Sequence, residues 1–214
     1  MSRNIIIFDF DGTIVDSGTN IVDAVNHTRV QMGLDVLEGS YILENLNKDN
    51  INPAEIFYDA PSFNAKHREL FEGFYEDNCA FNISLYDKVG YYLEEFKRQG
   101  FLMSIATNGK SKFANKMLSS LGVNGYFDMV VGSDGVALPK PNPEMLLKII
   151  DAFDIDEDSN VLMVGDSIKD VKAARAIGVT SAVAEWGFGE HKPLGDKNLA
   201  TTDELGWIID FFKD

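Results

Sequence analysis

The sequence predicts an α/β protein with a doubly wound parallel sheet and a small helical domain inserted into it. The apolar run at residues 5–8 leads directly into Asp9, and such a β-branched and aromatic run is typical of a strand buried on both faces. From about residue 85, predicted helices and strands alternate, which implies right-handed crossovers and a parallel sheet. Residues 16–84 show helical patterns only. They interrupt the alternation after the first strand, and we interpret them as an inserted domain.

The helical stretch contains two longer predicted helices and a shorter helical part between them. The first longer helix covers 19–33, with an apolar face and Gly33 at its end. One or two short helices are expected near 39–46 and 53–58 in a stretch rich in Asn, Asp, Gly and Pro, and the second longer helix covers 64–79. The predicted domains are therefore a core of residues 1–15 and 85–214, and a helical cap of residues 16–84.

The core continues as a regular succession of elements. The predicted helices cover 86–99, 111–121, 143–153, 168–177 and 203–213. The predicted strands cover 101–106, 128–131, 160–165 and 180–184. Glycines close several of the helices, as Gly100 and Gly122 do.

Composition limits the possible function. The chain has 214 residues, 45% of them hydrophobic, and no apolar run approaches the roughly 20 residues of a membrane span. The N-terminus has no signal-peptide pattern, so we expect a cytoplasmic protein. The net charge of −15 argues against a nucleic-acid or anionic-membrane partner. The single cysteine, Cys79, cannot form an internal disulfide and is expected in the core.

Two aspartates follow the first strand. Residues two apart in an extended chain project to the same side, so Asp9 and Asp11 should leave the carboxyl end of the strand as a pair. Open α/β sheets bind ligands at that end. Gly12 permits a sharp turn, and Ser17 can cap the next helix. The alternative interpretation is a solvated turn in which the aspartates bind backbone amides.

Two further loops also carry polar residues after predicted strands. Thr107 and Asn108 precede a helix whose free N–H groups suit a phosphate, although Thr107 could simply cap that helix. Asp166 follows another buried strand, with Asp170 four residues later. Carboxylates are ligands that Mg²⁺ prefers, although both could instead stabilise a helix N-terminus.

Lys140 lies between two prolines, which hold its backbone extended and lower the entropy lost when the side chain is directed at one target. The alternative is an ordinary surface lysine in a proline-rich turn.

The first loop resembles the D-x-D-G-T-x-x-D-S signature of the haloacid dehalogenase-like superfamily, phosphatase branch. The matching residues, with no departure from the signature, are Asp9, Asp11, Gly12, Thr13, Asp16 and Ser17. The other three loops follow in the family's order. The Rossmann-like core is similar to the phosphoglycolate phosphatase-like group, and the insert is similar to a C1-type cap.

The resemblance implies a mechanism and its residues. Asp9 would be the nucleophile that forms an aspartyl-phosphate, and Asp11 the general acid and base. The residues expected to bind the phosphoryl group are Gly12, Thr107, Asn108 and Lys140. Mg²⁺ would be held by Asp9, Asp166 and the backbone carbonyl of Asp11, with Asp170 supporting the site. The substrate would be a small phosphorylated metabolite, with phosphoglycolate as first candidate. The oligomeric state stays open.

Other activities use the same core. A β-phosphoglucomutase-like phosphotransferase usually has Val or Ile where Thr13 stands, and a pyrophosphatase stays possible. Dehalogenases lack the second aspartate, so Asp11 argues against them. Phosphonate hydrolases need a cap lysine, for which Lys48 and Lys66 are candidates without supporting context. A non-catalytic binding module is disfavoured because Asp9 and Asp11 are both present.

Several cap charges could contact a substrate, although each also has an ordinary structural interpretation. They are His27, Arg29, Lys66, His67 and Arg68.

Overall fold

Six parallel strands form the central sheet in the computed structural model, which describes residues 3–48, 51–154, 159–189 and 195–213. Its strands are β1 (Asn4–Phe8), β4 (Leu102–Ala106), β5 (Met129–Val131), β6 (Asn160–Gly165), β7 (Thr180–Ala184) and β8 (Lys197–Leu199). Their order across the sheet is β5-β4-β1-β6-β7-β8, and every pairing is parallel. The first strand therefore lies at the centre of a doubly wound sheet, as predicted.

Two short strands form a separate antiparallel pair, β2 (Val15–Asp16) and β3 (Ser84–Leu85), in which Asp16 is opposite Ser84. The chain between them contains α1 (Gly18–Gln31), α2 (Gly39–Leu46), α3 (Pro53–Tyr58) and α4 (Ala65–Asn78). The two ends of the predicted insert are thus neighbours. The domain boundaries themselves stay a prediction.

The remaining helices surround the sheet. They are α5 (Val89–Arg98), α6 (Ser111–Ser120), α7 (Glu144–Ala152), α8 (Ile168–Arg175) and α9 (Trp207–Phe211). Short 3-10 helices cover Asn124–Tyr126, Ser133–Gly135 and Thr202–Gly206. The predicted last helix is therefore wrong in its first part, which is a 3-10 helix.

The central strand explains why its sequence is apolar without alternation. Ile6 and Phe8 belong to the core cluster on one face of the sheet, whereas Ile5 and Ile7 belong to the cluster on the other face. All four side chains are at most 1% exposed. Burial on both faces requires apolar residues at every position, which is the pattern that predicted the strand.

Within the described part of the chain, no helix is long and apolar enough to cross a membrane. The predicted cytoplasmic location stays a prediction.

Candidate active site

The polar loops predicted from the sequence meet at one edge of the sheet. Asp9 follows β1, Thr107 follows β4 and Asp166 follows β6, and these three strands are neighbours. The backbone continues the sheet for one more residue, because the N–H of Asp9 donates to the carbonyl of Val164 at 2.7 Å. After β1 the chain adds β4 and β5 on one side of it and then β6, β7 and β8 on the other, so this edge is the switch point where such folds bind ligands.

A tight turn follows Asp9. The carbonyl of Phe10 accepts hydrogen bonds from the N–H groups of Ile14 and Val15, at 3.0 and 3.1 Å. Gly12 has a φ of +81°, and a Cβ atom there would lie 2.3 Å from Oδ2 of Asp166. Glycine is therefore required both by the left-handed backbone and by the close approach of the β6 loop.

Lys140 connects two carboxylates beneath this turn. Its Nζ atom lies 2.8 Å from Oδ1 of Asp9 and 2.5 Å from Oδ1 of Asp170, and the lysine is 3% exposed. Burial alone would lower the pKa of Lys140, but Asp170 and Asp9 raise it above its ordinary value. The side chain is thus a fixed ammonium next to Asp9 rather than an ordinary surface lysine.

Asp9 is 9% exposed, and burial raises its pKa to about 7 against the opposing effect of Lys140. A nucleophilic carboxylate must be ionised. A cation bound beside Asp9 would favour that form by lowering this pKa.

Asp11 has a different environment. Burial raises the pKa of its carboxyl, and the hydrogen bond from Ser17 only partly opposes this. The Oγ of Ser17 donates to Oδ1 of Asp11 at 2.6 Å and makes no capping hydrogen bond to α1. The expectation that Ser17 caps the helix with its side chain is therefore wrong, because Asp11 binds the hydroxyl. A raised pKa favours the protonated carboxyl that a proton donor needs.

Asp166 accepts hydrogen bonds from three sources. The backbone N–H groups of Phe188 and Gly189 lie 2.7 and 3.1 Å from its Oδ2, and the side-chain amide of Asn47 lies 3.2 Å from both oxygens. The carboxyl is 1% exposed. Burial raises its pKa well above the ordinary value, and Asp9 and Asp170 raise it further.

Asp170 stabilises the start of α8, which is one of the two roles that the sequence left open, and it also binds Lys140. Its Oδ2 accepts from the N–H and the Oγ of Ser167, at 3.1 and 2.8 Å, which forms a capping box at the start of α8. Its other oxygen binds Lys140. The helix cap therefore holds Asp170 in position to orient the lysine.

The loop after β4 contacts the loop that carries Lys140. The amide of Asn108 donates to the backbone carbonyl of Lys140 at 2.8 Å, and Oγ1 of Thr107 accepts from the N–H of Gly109 at 3.0 Å. Neither side chain caps α6, whose capping position is Lys110. Both line the cavity described below, together with Asp9 and Asp11.

Three carboxylates lie close enough to share a metal ion. One oxygen each from Asp9, Asp166 and Asp170 lies within 4.8 Å of the others. Lys140 pairs with Asp9 and Asp170. Burial lowers the pKa of Lys169, but this lysine lies near enough for all three aspartates to oppose that effect. The three buried acidic groups still outnumber these two cations. An oxygen-only donor set with excess negative charge fits a divalent cation such as Mg²⁺.

A cavity of about 940 Å³ lies between the catalytic loops and α1–α4. Of the cap charges named from the sequence, His67 and Arg68 line it, whereas His27, Arg29 and Lys66 do not. Arg29 is 6% exposed and donates to the backbone carbonyls of Asp35 and Phe57, so its role is structural. Neither Lys48 nor Lys66 lines the cavity, which gives no support to a Schiff base.

The hydrogen bond from Asn47 to Asp166 was not predicted from the sequence. Asn47 lies in the cap, directly after α2, where no motif marks it. Its neighbour Leu46 accepts a hydrogen bond from Nζ of Lys169 at 3.3 Å, so this end of the cap touches the β6 loop twice. Only the three-dimensional proximity of the loops identifies these contacts.

A doubly wound sheet with paired aspartates at the end of its central strand is typical of haloacid dehalogenase-like hydrolases, and the chain belongs to this family. The family model for haloacid dehalogenase-like hydrolases matches residues 6–184.

Named relatives match over almost the whole chain. A phosphoglycolate phosphatase from Aquifex aeolicus is 29% identical over 210 residues, 96% of each chain. A phosphoglycolate phosphatase from Vibrio vulnificus is 32% identical and covers 96% of this chain and 94% of its own. A crystal structure from Haemophilus somnus, described as a predicted phosphoglycolate phosphatase, superposes with a TM-score of 0.85 at 21% identity and covers 98% of this chain and 99% of its own. The predicted fold, family and phosphatase class are thereby confirmed.

Proposed function

We propose that this protein is a Mg²⁺-dependent phosphatase that hydrolyses a small phosphate monoester through an aspartyl-phosphate intermediate. Phosphoglycolate is the first candidate substrate, because relatives that match the full length are phosphoglycolate phosphatases. One observation carries the proposal. Asp9 lines the cavity at the end of the central strand, with the buried ammonium of Lys140 at 2.8 Å.

Asp9 acts as the nucleophile. A carboxylate oxygen attacks phosphorus, the bond from phosphorus to the ester oxygen breaks, and an acyl phosphate forms. Lys140 holds the attacking carboxylate in place and reduces its repulsion with the phosphate dianion. The capping box around Asp170 fixes the lysine from the other side.

Asp11 moves the protons. In its protonated form it gives its proton to the departing alkoxide. It then takes a proton from the water that attacks the acyl phosphate, which releases inorganic phosphate and restores Asp9. Burial favours the protonated form, and Ser17 holds the carboxyl in one orientation.

Asp9, Asp166 and the backbone carbonyl of Asp11 would hold Mg²⁺, with Asp170 behind them. When bound, the metal supplies positive charge for the phosphoryl oxygens and for the attacking carboxylate. The residues proposed to bind those oxygens are Gly12, Thr107, Asn108 and Lys140.

The experiment measures release of inorganic phosphate from phosphoglycolate by the wild-type protein, with Mg²⁺ and with excess chelator. We expect turnover only with the metal. Asp9→Asn should abolish it, because an amide does not form the acyl phosphate, and the nearly isosteric change should leave the protein folded. The control Asp23→Asn changes an exposed carboxylate on α1 and should behave as wild type. Undiminished turnover in Asp9→Asn would exclude the covalent mechanism.

A further inference from the structure

The cavity over the catalytic loops is much larger than the first candidate substrate needs. At about 30 Å³ per water molecule, 940 Å³ would hold roughly 30 waters. Pockets of this size, near the upper end of a range of about 300–1,000 Å³, are usual for ligands as large as drugs and cofactors. Phosphoglycolate carries only a two-carbon acid beside its phosphate, so most of the cavity would stay filled with water.

The walls are aromatic. Phe71 and Tyr75 lie one turn apart on α4, with ring centroids 5.4 Å apart and planes inclined by 16°. The ring of Phe113 in α6 meets Tyr75 edge-on at 5.2 Å. All three line the cavity. Aromatic walls around a few polar groups are typical of sites for ligands with an apolar part, whereas a two-carbon acid offers almost no apolar surface to them.

The residues of α4 that line the cavity are spread along the length of the helix. Tyr75 lies near the catalytic end of α4, because Asn20 at the start of α1 donates to the carbonyl of Asn78 at 2.9 Å, and Asp11 and Tyr75 both line the cavity. Burial, and then the negative charge of Asp11, raise the pKa of Tyr75 well above its ordinary value. Arg68 precedes Tyr75 by seven residues and lines the same cavity. At 1.5 Å per residue, the two positions are about 10 Å apart along the helix axis.

Arg68 differs from the other cations on the wall. Lys110 pairs with Glu72 at 2.6 Å, and Lys169 donates to the carbonyl of Leu46 at 3.3 Å. Among the described residues, the guanidinium of Arg68 has no hydrogen-bond or ion-pair partner. It is thus available for an anion in the part of the cavity about 10 Å along α4 from Tyr75.

On the basis of the proposed phosphatase function, we propose that the preferred substrate is an elongated phosphate monoester. Its apolar, preferably aromatic middle packs against Phe71, Tyr75 and Phe113, and it ends in an anionic group that Arg68 binds. Specificity then comes from α4 of the cap, while the core loops bind the phosphate.

The experiment compares kcat/KM for esters that share a primary alkyl leaving group, so that differences report the cavity rather than leaving-group acidity. The esters are propyl phosphate, 3-phenylpropyl phosphate and the latter with a para-carboxylate. Phosphoglycolate is measured alongside. We expect about a tenfold rise on adding the phenyl ring. Adding the carboxylate should raise kcat/KM about tenfold again.

Two variants assign the gains to residues. Arg68→Gln should remove the gain from the carboxylate, and Phe71→Ala should reduce the gain from the ring. Lys66→Gln is the matched control, because Lys66 is a cation on the same helix that does not line the cavity and is 58% exposed. It should retain both gains.

The outcomes separate this proposal from the phosphatase function. If phosphoglycolate or propyl phosphate has the highest kcat/KM, the elongated-substrate proposal is overturned and the phosphatase function stands. If no ester is hydrolysed, the phosphatase function fails. The proposed site at Arg68 is then tested by binding alone, with calorimetry of 4-(3-hydroxypropyl)benzoate, the alcohol of the para-carboxylate ester. Weaker binding to Arg68→Gln than to Lys66→Gln supports the site, and equal binding overturns it.

Discussion

At the scale of single residues, two aspartates two positions apart have opposite electrostatic environments. Asp9 contacts the ammonium of Lys140, which favours a carboxylate, whereas Asp11 accepts a hydrogen bond from the hydroxyl of Ser17. Burial raises the pKa of both; the largest opposing effect comes from the charge of Lys140 at Asp9 and from the hydrogen bond of Ser17 at Asp11. A nucleophile must be charged and a proton donor neutral, so the surroundings suit the two proposed roles.

Asp11→Asn should slow both chemical steps, and the first least when the leaving group is already acidic. An alkoxide needs a proton to depart, whereas nitrophenolate does not. Rapid quench should therefore show a smaller loss in phosphoenzyme formation with nitrophenyl phosphate than with an alkyl phosphate. Equal losses with the two esters would contradict the role of Asp11 as proton donor.

Asp166→Ala should raise the Mg²⁺ concentration for half-maximal activity at least about tenfold, because a proposed direct ligand is lost. A second measurement does not depend on turnover. Mg²⁺ should raise the unfolding temperature of the wild type by binding the folded state, and should raise that of the variant less. Asp23→Ala, which removes an exposed carboxylate, is the control. Equal stabilisation of both variants by Mg²⁺ would remove Asp166 from the metal site.

The predictable site residues are those that follow buried strands. Asp9, Thr107 and Asp166 could be placed from sequence because parallel strands bring their carboxyl ends to one edge. Asn47 could not, because it comes from the cap and reaches Asp166 only through the packing of the two parts. The assignment of Ser17 as a side-chain cap failed for a related reason: a helix N-terminus and a carboxylate compete for one hydroxyl, and the sequence does not decide between them.

At the scale of elements, apolar composition decided which short elements could be predicted. The short helices Gly39–Leu46 and Pro53–Tyr58 agree with their predicted ranges, as does the three-residue strand Met129–Val131, which is apolar throughout. The strands Val15–Asp16, Ser84–Leu85 and Lys197–Leu199 were missed because two or three residues carry no periodicity and each of these strands contains polar residues. The last of these is also an edge strand with two polar residues, so nothing in its composition distinguishes it from a loop.

A side-chain contact attaches this edge to the sheet. Oδ2 of Asp196, the residue before β8, accepts from the N–H and the Oγ of Ser181 in β7, at 2.8 and 2.9 Å. Ser181 is 1% exposed. The hydrogen bond from the Ser181 backbone, and then that from its hydroxyl, lower the pKa of Asp196.

Asp196→Ala should lower the free energy of unfolding at pH 7 by about 1 kcal/mol, because two donors lose their acceptor. Solvent screens this exposed carboxylate, so the expected loss of free energy of unfolding is at the low end for a lost acceptor. The folded-state pKa is depressed, so the stabilisation is fully present above the ordinary value of about 3.9 and is lost as pH falls through the folded-state pKa.

Urea unfolding at pH 7 and near pH 3 tests the predicted pH dependence. The difference in free energy of unfolding between wild type and Asp196→Ala should be smaller at the lower pH. Asp77→Ala removes an exposed carboxylate on α4 and should show no such pH dependence. A difference that stays constant between the two pH values would show that the charge of Asp196 contributes nothing.

At the scale of the whole molecule, contacts between the predicted cap and the core lie at two sides of the cavity. On one side, ion pairs join α4 to Lys110 directly before α6 and to Lys112 within it, through Glu72 and Glu76, each at 2.6 Å. On the other side, Asn47 contacts Asp166. Asp16 and Ser84 lie opposite each other in the short antiparallel pair, so the two ends of the predicted insert are neighbours, and we expect the chain near Gly18 and Ser84 to act as hinges.

We expect these contacts to limit the size of the substrate. A helical cap that closed over the nucleophile would exclude water and strengthen the charge interactions inside. The closed cavity would then accommodate a metabolite, even an elongated one, but not a folded protein or a duplex end. The net charge of −15 also disfavours nucleic acid.

We therefore expect small phosphate monoesters, phosphoglycolate among them, to have a higher kcat/KM than any phosphopeptide or terminally phosphorylated oligonucleotide. The three classes are compared at equal Mg²⁺ concentration, pH and ionic strength, because the charge of the protein makes an oligonucleotide comparison sensitive to salt. Phosphate release is measured for each, with Asp9→Asn as the blank for contaminating phosphatases. If either polymer were preferred, the cap could not close as a lid during turnover, and a small metabolite would no longer be the expected substrate.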